Sequence, residues 1–175
     1  LDAPEQQARF REPTILRGLL EALAGTLAYL HARGVVHADI KPEHVRFRGS
    51  APVLVDFGIA AVGTRDPLYE GEQAGSPRWM APELVLGGVP SPASDVWSLC
   101  AVVTWLWNGA PGPTADGPAI LAERATDPDA HLPSLAGLEE RDARLHEIVT
   151  LGLGRPASRP TAARIVQLIS SSTAG

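Results

Sequence analysis

Between Ser94 and Trp107 the chain carries Val96, Leu99, Cys100, Val102, Val103, Trp105 and Leu106, an apolar set too broad for one face of a helix. A helix that is apolar all round has to be enclosed by other elements. The fold must therefore be built around this segment. Ser94 is the expected N-cap, since its hydroxyl can accept from a backbone N–H of the first turn. Trp97, Trp105, Trp107 and Cys100 are read as core rather than as a ligand box.

The surrounding elements follow from periodicity. From Pro13 to His31, Leu16, Leu19, Leu20, Leu23, Leu27 and Leu30 recur at three- and four-residue steps, which predicts one amphipathic helix. Pro13 suits its first turn and Gly34 the residue just past its end. His31, near that end, is expected to complement the helix dipole or cap carbonyls. Val45-Arg46-Phe47 and Val53-Leu54-Val55, joined by Arg48 to Pro52, give a hairpin signal. From Gly58 to about Pro92 the Gly and Pro content predicts ordered loop with short helical pieces. Three weaker helices are expected near Ala119–Ala125, Arg141–Leu151 and Ala162–Ile169, the last capped by Thr161. The expected fold is α+β, mostly α-helical, with one small sheet near residues 45–55.

At 175 residues the chain fits one domain, spanning 1–175, with a sizeable core. A net charge of −5 argues against nucleic-acid or acidic-membrane partners. One cysteine excludes an internal disulfide and suits a reducing compartment, so a cytoplasmic location is expected. No apolar run approaches the roughly 18 residues of a membrane span, and no signal peptide opens the chain. The chain begins at Leu1 and its single methionine is Met80. It is therefore read as cut from something longer or begun at a non-standard start codon. The Ala, Gly, Pro and Arg content hints at a GC-rich bacterial source.

Chemistry concentrates around the hairpin, in His37-Ala38-Asp39-Ile40-Lys41-Pro42-Glu43-His44 and then Asp56-Phe57-Gly58. Asp39 and Lys41 set a proton-accepting or proton-orienting acid beside a fixed cation. Asp56 emerges from an apolar strand into a turn that Gly58 permits. A hydroxyl-orienting carboxylate, a cation and a metal-binding carboxylate are the parts phosphoryl transfer needs, because its catalysis is mostly positioning and charge stabilisation.

These stretches resemble the H-R-D-L-x-x-x-N catalytic loop and D-F-G triplet of eukaryotic-like Ser/Thr protein kinases. Gly75 to Glu83 is similar to the end of that family's activation segment, closing on A-P-E. Ser94-Asp95-Val96-Trp97 resembles the start of its buried central helix, and Arg159-Pro160 its late arginine. The likeness covers about residues 14–169 and implies the kinase C-terminal lobe. It implies ATP and Mg²⁺ as cofactors and a protein as substrate. By the same resemblance Asp39 is the catalytic base or orienter, Lys41 stabilises the transferring phosphate, and Asp56 holds Mg²⁺. Ser76 faces the substrate, Glu83 and Arg159 form a buried pair, Asp95 anchors the catalytic loop, and His37 and Phe57 stack in the core beneath the site.

The chain also departs from the pattern. His44 stands where the family has the asparagine that binds a second Mg²⁺. Magnesium prefers oxygen ligands, so weakened second-metal binding is expected. Ala38 replaces an arginine that often pairs with an activation-segment phosphate, and Thr64 is a poor candidate for an activating site. Arg46 stands where an apolar side chain usually packs under adenine; its alkyl stem can lie flat there. No Gly-rich loop or strand lysine of the small lobe precedes Thr14. This chain alone is therefore expected to bind ATP poorly, its small lobe being missing or separately encoded. Two functions stay open: a Ser/Thr protein kinase catalytic domain, or a pseudokinase or kinase remnant that binds proteins without catalysis.

Overall fold

The computed structural model describes residues 8–62, 76–109, 117–127 and 134–171. Thr64 lies outside them. After a short 3₁₀ turn, Ala8–Arg11, helix α1 runs Pro13–His31, the span its leucine stripe predicts. Its leucines 16, 19, 20, 23 and 27 are buried, and it packs against the central helix and the last one. Gly34 sits in the turn beyond the end at a φ of 71°, a left-handed conformation that favours glycine.

The central helix, α3 at Pro92–Asn108, follows the single-turn helix α2, Pro82–Val85. Every residue of α3 from Ser94 to Leu106 is buried. Its cap differs from the expected one. Ser91 is the N-cap and Ser94 is the third helical residue, each side chain bonded to the other's backbone N–H at 3.2 and 2.9 Å. Pro92 at N1 sets this register, because its missing N–H costs nothing there. Gly109, left-handed at φ 57°, ends the helix.

Helix α4 spans Gly117–Thr126. The helix expected over Arg141–Leu151 is instead two, α5 at Leu138–Arg141 and α6 at Ala143–Gly152. Asp142 divides them: its backbone leaves helical space, and its carboxylate caps Leu145 N–H at 2.9 Å while pairing with Arg17 of α1. Helix α7, Ala162–Ser170, is capped by the Thr161 side chain as expected.

Two small antiparallel sheets replace the single expected one. Strand β1, Val35–Val36, pairs with β4, Ala61–Val62. Strands β2, Val45–Arg48, and β3, Ala51–Leu54, form the hairpin, with Val45 opposite Leu54. The hairpin turn is shorter than its sequence suggested, and only Gly49 and Ser50 lie between the strands. Two-residue strands carry too little periodicity to be seen in sequence, so the β1–β4 pair could not have been predicted. Ahead of α1, Phe10 is 1% exposed and stacks with Phe47 at 6.3 Å. Among the described residues no helix is long and apolar enough to cross a membrane.

Arg159 fastens the loop after α6 to α2 and α3. Its guanidinium holds Glu83 through two bonds, 2.5 and 2.8 Å long, and also reaches the Gly154 and Ala93 carbonyls. The Arg159 side chain is only 1% exposed. Glu83→Ala leaves this buried cation without its carboxylate and is expected to cost about 3 kcal/mol, read as a lower urea midpoint at unchanged slope. A loss below about 1 kcal/mol would place the pair among weak surface bridges.

Candidate active site

The catalytic-loop segment lies between β1 and β2, and the Asp56 turn follows β3, so the hairpin delivers both to one rim of the helical body. Asp95 holds the first of them. Its fully buried carboxylate accepts from His37 N–H at 2.8 Å and Ala38 N–H at 2.9 Å. His31 Nε2 lies 2.9 Å from the same group. His31 therefore reaches the central helix rather than capping its own. Ala38 has a φ of 68° and Asp56 one of 65°. Non-glycine residues adopt this region at a cost of roughly 1–2 kcal/mol, and such strain persists only where neighbours over-determine it.

Asp39 and Lys41 meet directly, with Lys41 Nζ 2.8 Å from Asp39 Oδ2. Lys41 also donates to Ser76 Oγ at 2.9 Å, and Ser76 N–H donates to Asp39 Oδ1 at 3.1 Å. His44 is 8% exposed and sits between the two aspartates. Its Nδ1 bonds the Asp39 carbonyl at 2.8 Å, and its Nε2 stands 3.3 Å from Asp56 Oδ2. Asp56 Oδ1 accepts from Gly58 N–H at 3.1 Å. One linked network thus runs from Ser76 through Lys41, Asp39 and His44 to Asp56. Beside it opens a cleft of about 550 Å³ lined by Lys41, Glu43, Ser76, Arg78, Trp79 and Trp105.

His37 is wholly buried. Its Nε2 donates to the Val55 carbonyl at 3.3 Å, and its Nδ1 accepts from Asp39 N–H at 3.4 Å. Those partners suit a neutral ring, and burial pushes its pKa below the usual 6.5. Phe57 touches His37 at 4.8 Å between centroids yet remains 44% exposed. It therefore stands at the rim rather than in the core, because the Asp56 turn carries it outward. Arg46 is exposed on β2. Glu83 and Arg159 form the separate clamp described above.

Sequence reasoning missed Arg124. Buried in α4, it donates to the Pro77 and Met80 carbonyls at 3.0 and 3.2 Å and lies over Trp97. Burial, and secondarily the Arg78 charge, lower its pKa to about 10, so it remains cationic. It pins the segment that presents Ser76 to the loop. One arginine in a weakly periodic helix gave no signal of that role.

The sequence matches the protein kinase domain family over residues 2–167. The chain belongs to that family. Similar proteins include the serine/threonine-protein kinase PAK mbt of Drosophila melanogaster, 33% identical over 87% of this chain and 23% of its own length. The probable serine/threonine-protein kinase PkwA of Thermomonospora curvata is 32% identical over 91% of this chain and 21% of its own. Serine/threonine-protein kinase PknK of Mycobacterium tuberculosis (strain ATCC 25618 / H37Rv) is 43% identical over 46% of this chain. The chain thus spans about a quarter or less of these kinases, and its fold is the helix-rich one of a kinase large lobe.

The neutral burial of His37 has a pH consequence. Above pH 6.5 the ring is uncharged whether the chain is folded or unfolded. As pH falls below 6.5 the unfolded chain binds a proton that the folded chain resists, so stability drops. The loss attributable to this one group is at most about 1.4 kcal/mol per pH unit, the one-proton limit, measured by urea unfolding from pH 7.5 to 5. His37→Gln should flatten that slope; an unchanged slope would show that the ring is not the cause.

Proposed function

We propose that this kinase-family chain forms the large-lobe part of a Ser/Thr protein kinase catalytic domain, completed by a small lobe outside this sequence. The observation that carries the reading is the meeting of Asp39, Lys41, Ser76 and Asp56 in one network beside an open cleft. The family relationship supports it. In this reading Asp39 accepts or orients the proton of a protein serine or threonine hydroxyl. Lys41, already 2.8 Å from that carboxylate, places its charge where the transferring phosphoryl group gathers negative charge. Ser76 fixes the Lys41 ammonium from the substrate side, and the cleft takes the polypeptide around the acceptor. Bound ATP would supply the phosphoryl group, and Mg²⁺ held at Asp56 would neutralise phosphate charge.

The donor at Asp56 fits Mg²⁺, being an anionic oxygen exposed at the rim. The donor at His44 does not fit a second Mg²⁺, because it offers imidazole nitrogen where that ion demands oxygen. This mismatch favours the second reading, a non-catalytic kinase-like module that binds a protein partner. A cytoplasmic setting accords with the single cysteine, which is buried.

The two readings separate in the two-lobed protein. As a kinase it should melt higher with ATP and Mg²⁺, since a ligand that binds only the native state raises the midpoint. It should also transfer phosphate to a protein hydroxyl. Asp39→Asn is then expected to lower transfer by about 10²–10⁴-fold while leaving the nucleotide-induced shift in place. His44→Asn should raise Mg²⁺-dependent transfer. A flat melting response together with no transfer would leave only the binding module.

A further inference from the structure

A second concavity lies between the first half of α1 and the turn end of the hairpin. Its volume is about 360 Å³ and its floor is Phe10, Ile15, Leu19, Phe47 and Pro52. Small recognition sites span about 300–1,000 Å³. Ile15 leaves 42% of its surface in water there. Gly18 keeps the groove open, since a Cβ at that position would meet no atom within 4 Å. Arg9 closes one side. Its guanidinium stands 4.7 Å from the ring centroids of both Phe10 and Phe47. Stacking on two rings fixes the guanidinium plane and leaves its N–H edge for an acceptor. Among the described residues no hydrogen bond or ion pair takes up that edge. No carboxylate is among the described residues that line the groove, and Glu12, three residues along, pairs with Arg141 at 3.2 Å. Arg48, exposed at the end of β2, adds a second cation to this side of a chain whose net charge is −5.

We propose that this groove docks a short segment of a partner protein that presents apolar side chains beside a carboxylate. The apolar side chains cover Ile15, Leu19 and Pro52, and the carboxylate accepts from Arg9. Charge complementarity selects this occupant, because the groove offers a cation without an anion above an apolar floor. A guanidinium already held by two rings loses little freedom when it forms a charge-assisted bond. A nucleic acid would use the cation but gain nothing from the floor, and the net charge of −5 opposes it. The groove is separate from the cleft beside Asp39: Ser50 and Pro52 border it at the turn end of the hairpin, whereas His44 and Asp56 flank the open end. The proposal therefore stands apart from the question of phosphoryl transfer. A kinase would use such a groove to raise the local concentration of a tethered substrate, and a non-catalytic module would use it to hold its partner.

The test is fluorescence polarisation of this chain with a labelled short peptide in which leucines are flanked by glutamates. Saturable binding is expected. Arg9→Ala, or exchange of the peptide's glutamates for lysines, should weaken it by about tenfold or more. Arg9→Glu should restore binding to the lysine peptide. Gly18→Leu should abolish binding, because the new side chain enters the groove. The urea midpoint of that variant should hold or rise, since leucine is a better helix former than glycine. Absence of saturable binding would overturn the proposal, and so would unchanged binding to Gly18→Leu. Equal binding by polyglutamate without leucines would reduce the groove to an anion patch and overturn it too. A dimer in sedimentation that Gly18→Leu dissolves would make a second copy the occupant, against the proposal. None of these outcomes depends on Asp39 or on phosphate transfer, so the docking groove and the kinase reading fail separately.

Discussion

A buried carboxylate at the start of the central helix organises the site, because Asp95 is fully buried and meets His37 N–H, Ala38 N–H and the His31 ring. An isolated charge in such a place would cost several kcal/mol. Two consecutive main-chain N–H groups of the catalytic loop and the His31 ring offset that cost. The arrangement works in both directions: the loop solvates the carboxylate, and the carboxylate holds Ala38 in a left-handed conformation that alanine would not otherwise keep. That twist turns Asp39 outward toward Lys41 and Ser76. The helix carrying Asp95 is encased by the rest of the fold, so the reference point of the site is its most rigid part.

Two arginines extend this rigidity to the segment opposite the loop. Arg159 gathers Glu83, the Gly154 carbonyl and the Ala93 carbonyl around one buried guanidinium. Arg124 does the same for the Pro77 and Met80 carbonyls while lying against Trp97. A planar fork with five donors is suited to this task, since one guanidinium can serve several acceptors at once. Ser98 adds a hydroxyl bond to the Trp79 carbonyl at 2.6 Å. The loop that presents Ser76 is thus bound to helices at several points.

At the opposite end of the network, His44 changes the electrostatic character of the site. An amide would present a neutral oxygen beside Asp56; the imidazole presents nitrogen and links the two aspartates through one rigid ring. The fold is the same in either case, since a kinase-like body positions these side chains without dictating their chemistry.

Much of this was legible in the chain itself. The leucine stripe of α1, the all-round apolarity of α3, the hairpin and the Asp39–Lys41 pair are local patterns, written within one element or one loop. Lys41 contacts Asp39, and the His44 ring lies between Asp39 and Asp56. What sequence reading missed was set by partners distant along the chain. His31 finds Asp95, Arg124 finds the Pro77 carbonyl, and Val35 finds Val62. Ser91 displaced Ser94 as the cap, and Asp142 split a helix by combining a cap with a bond to Arg17. Periodicity determines which face of an element is buried, because it depends only on neighbouring residues. Which carbonyl a buried arginine meets, or which acceptor a histidine faces, is decided when helices pack, because a charge withdrawn from water must find its partner wherever the fold has placed one.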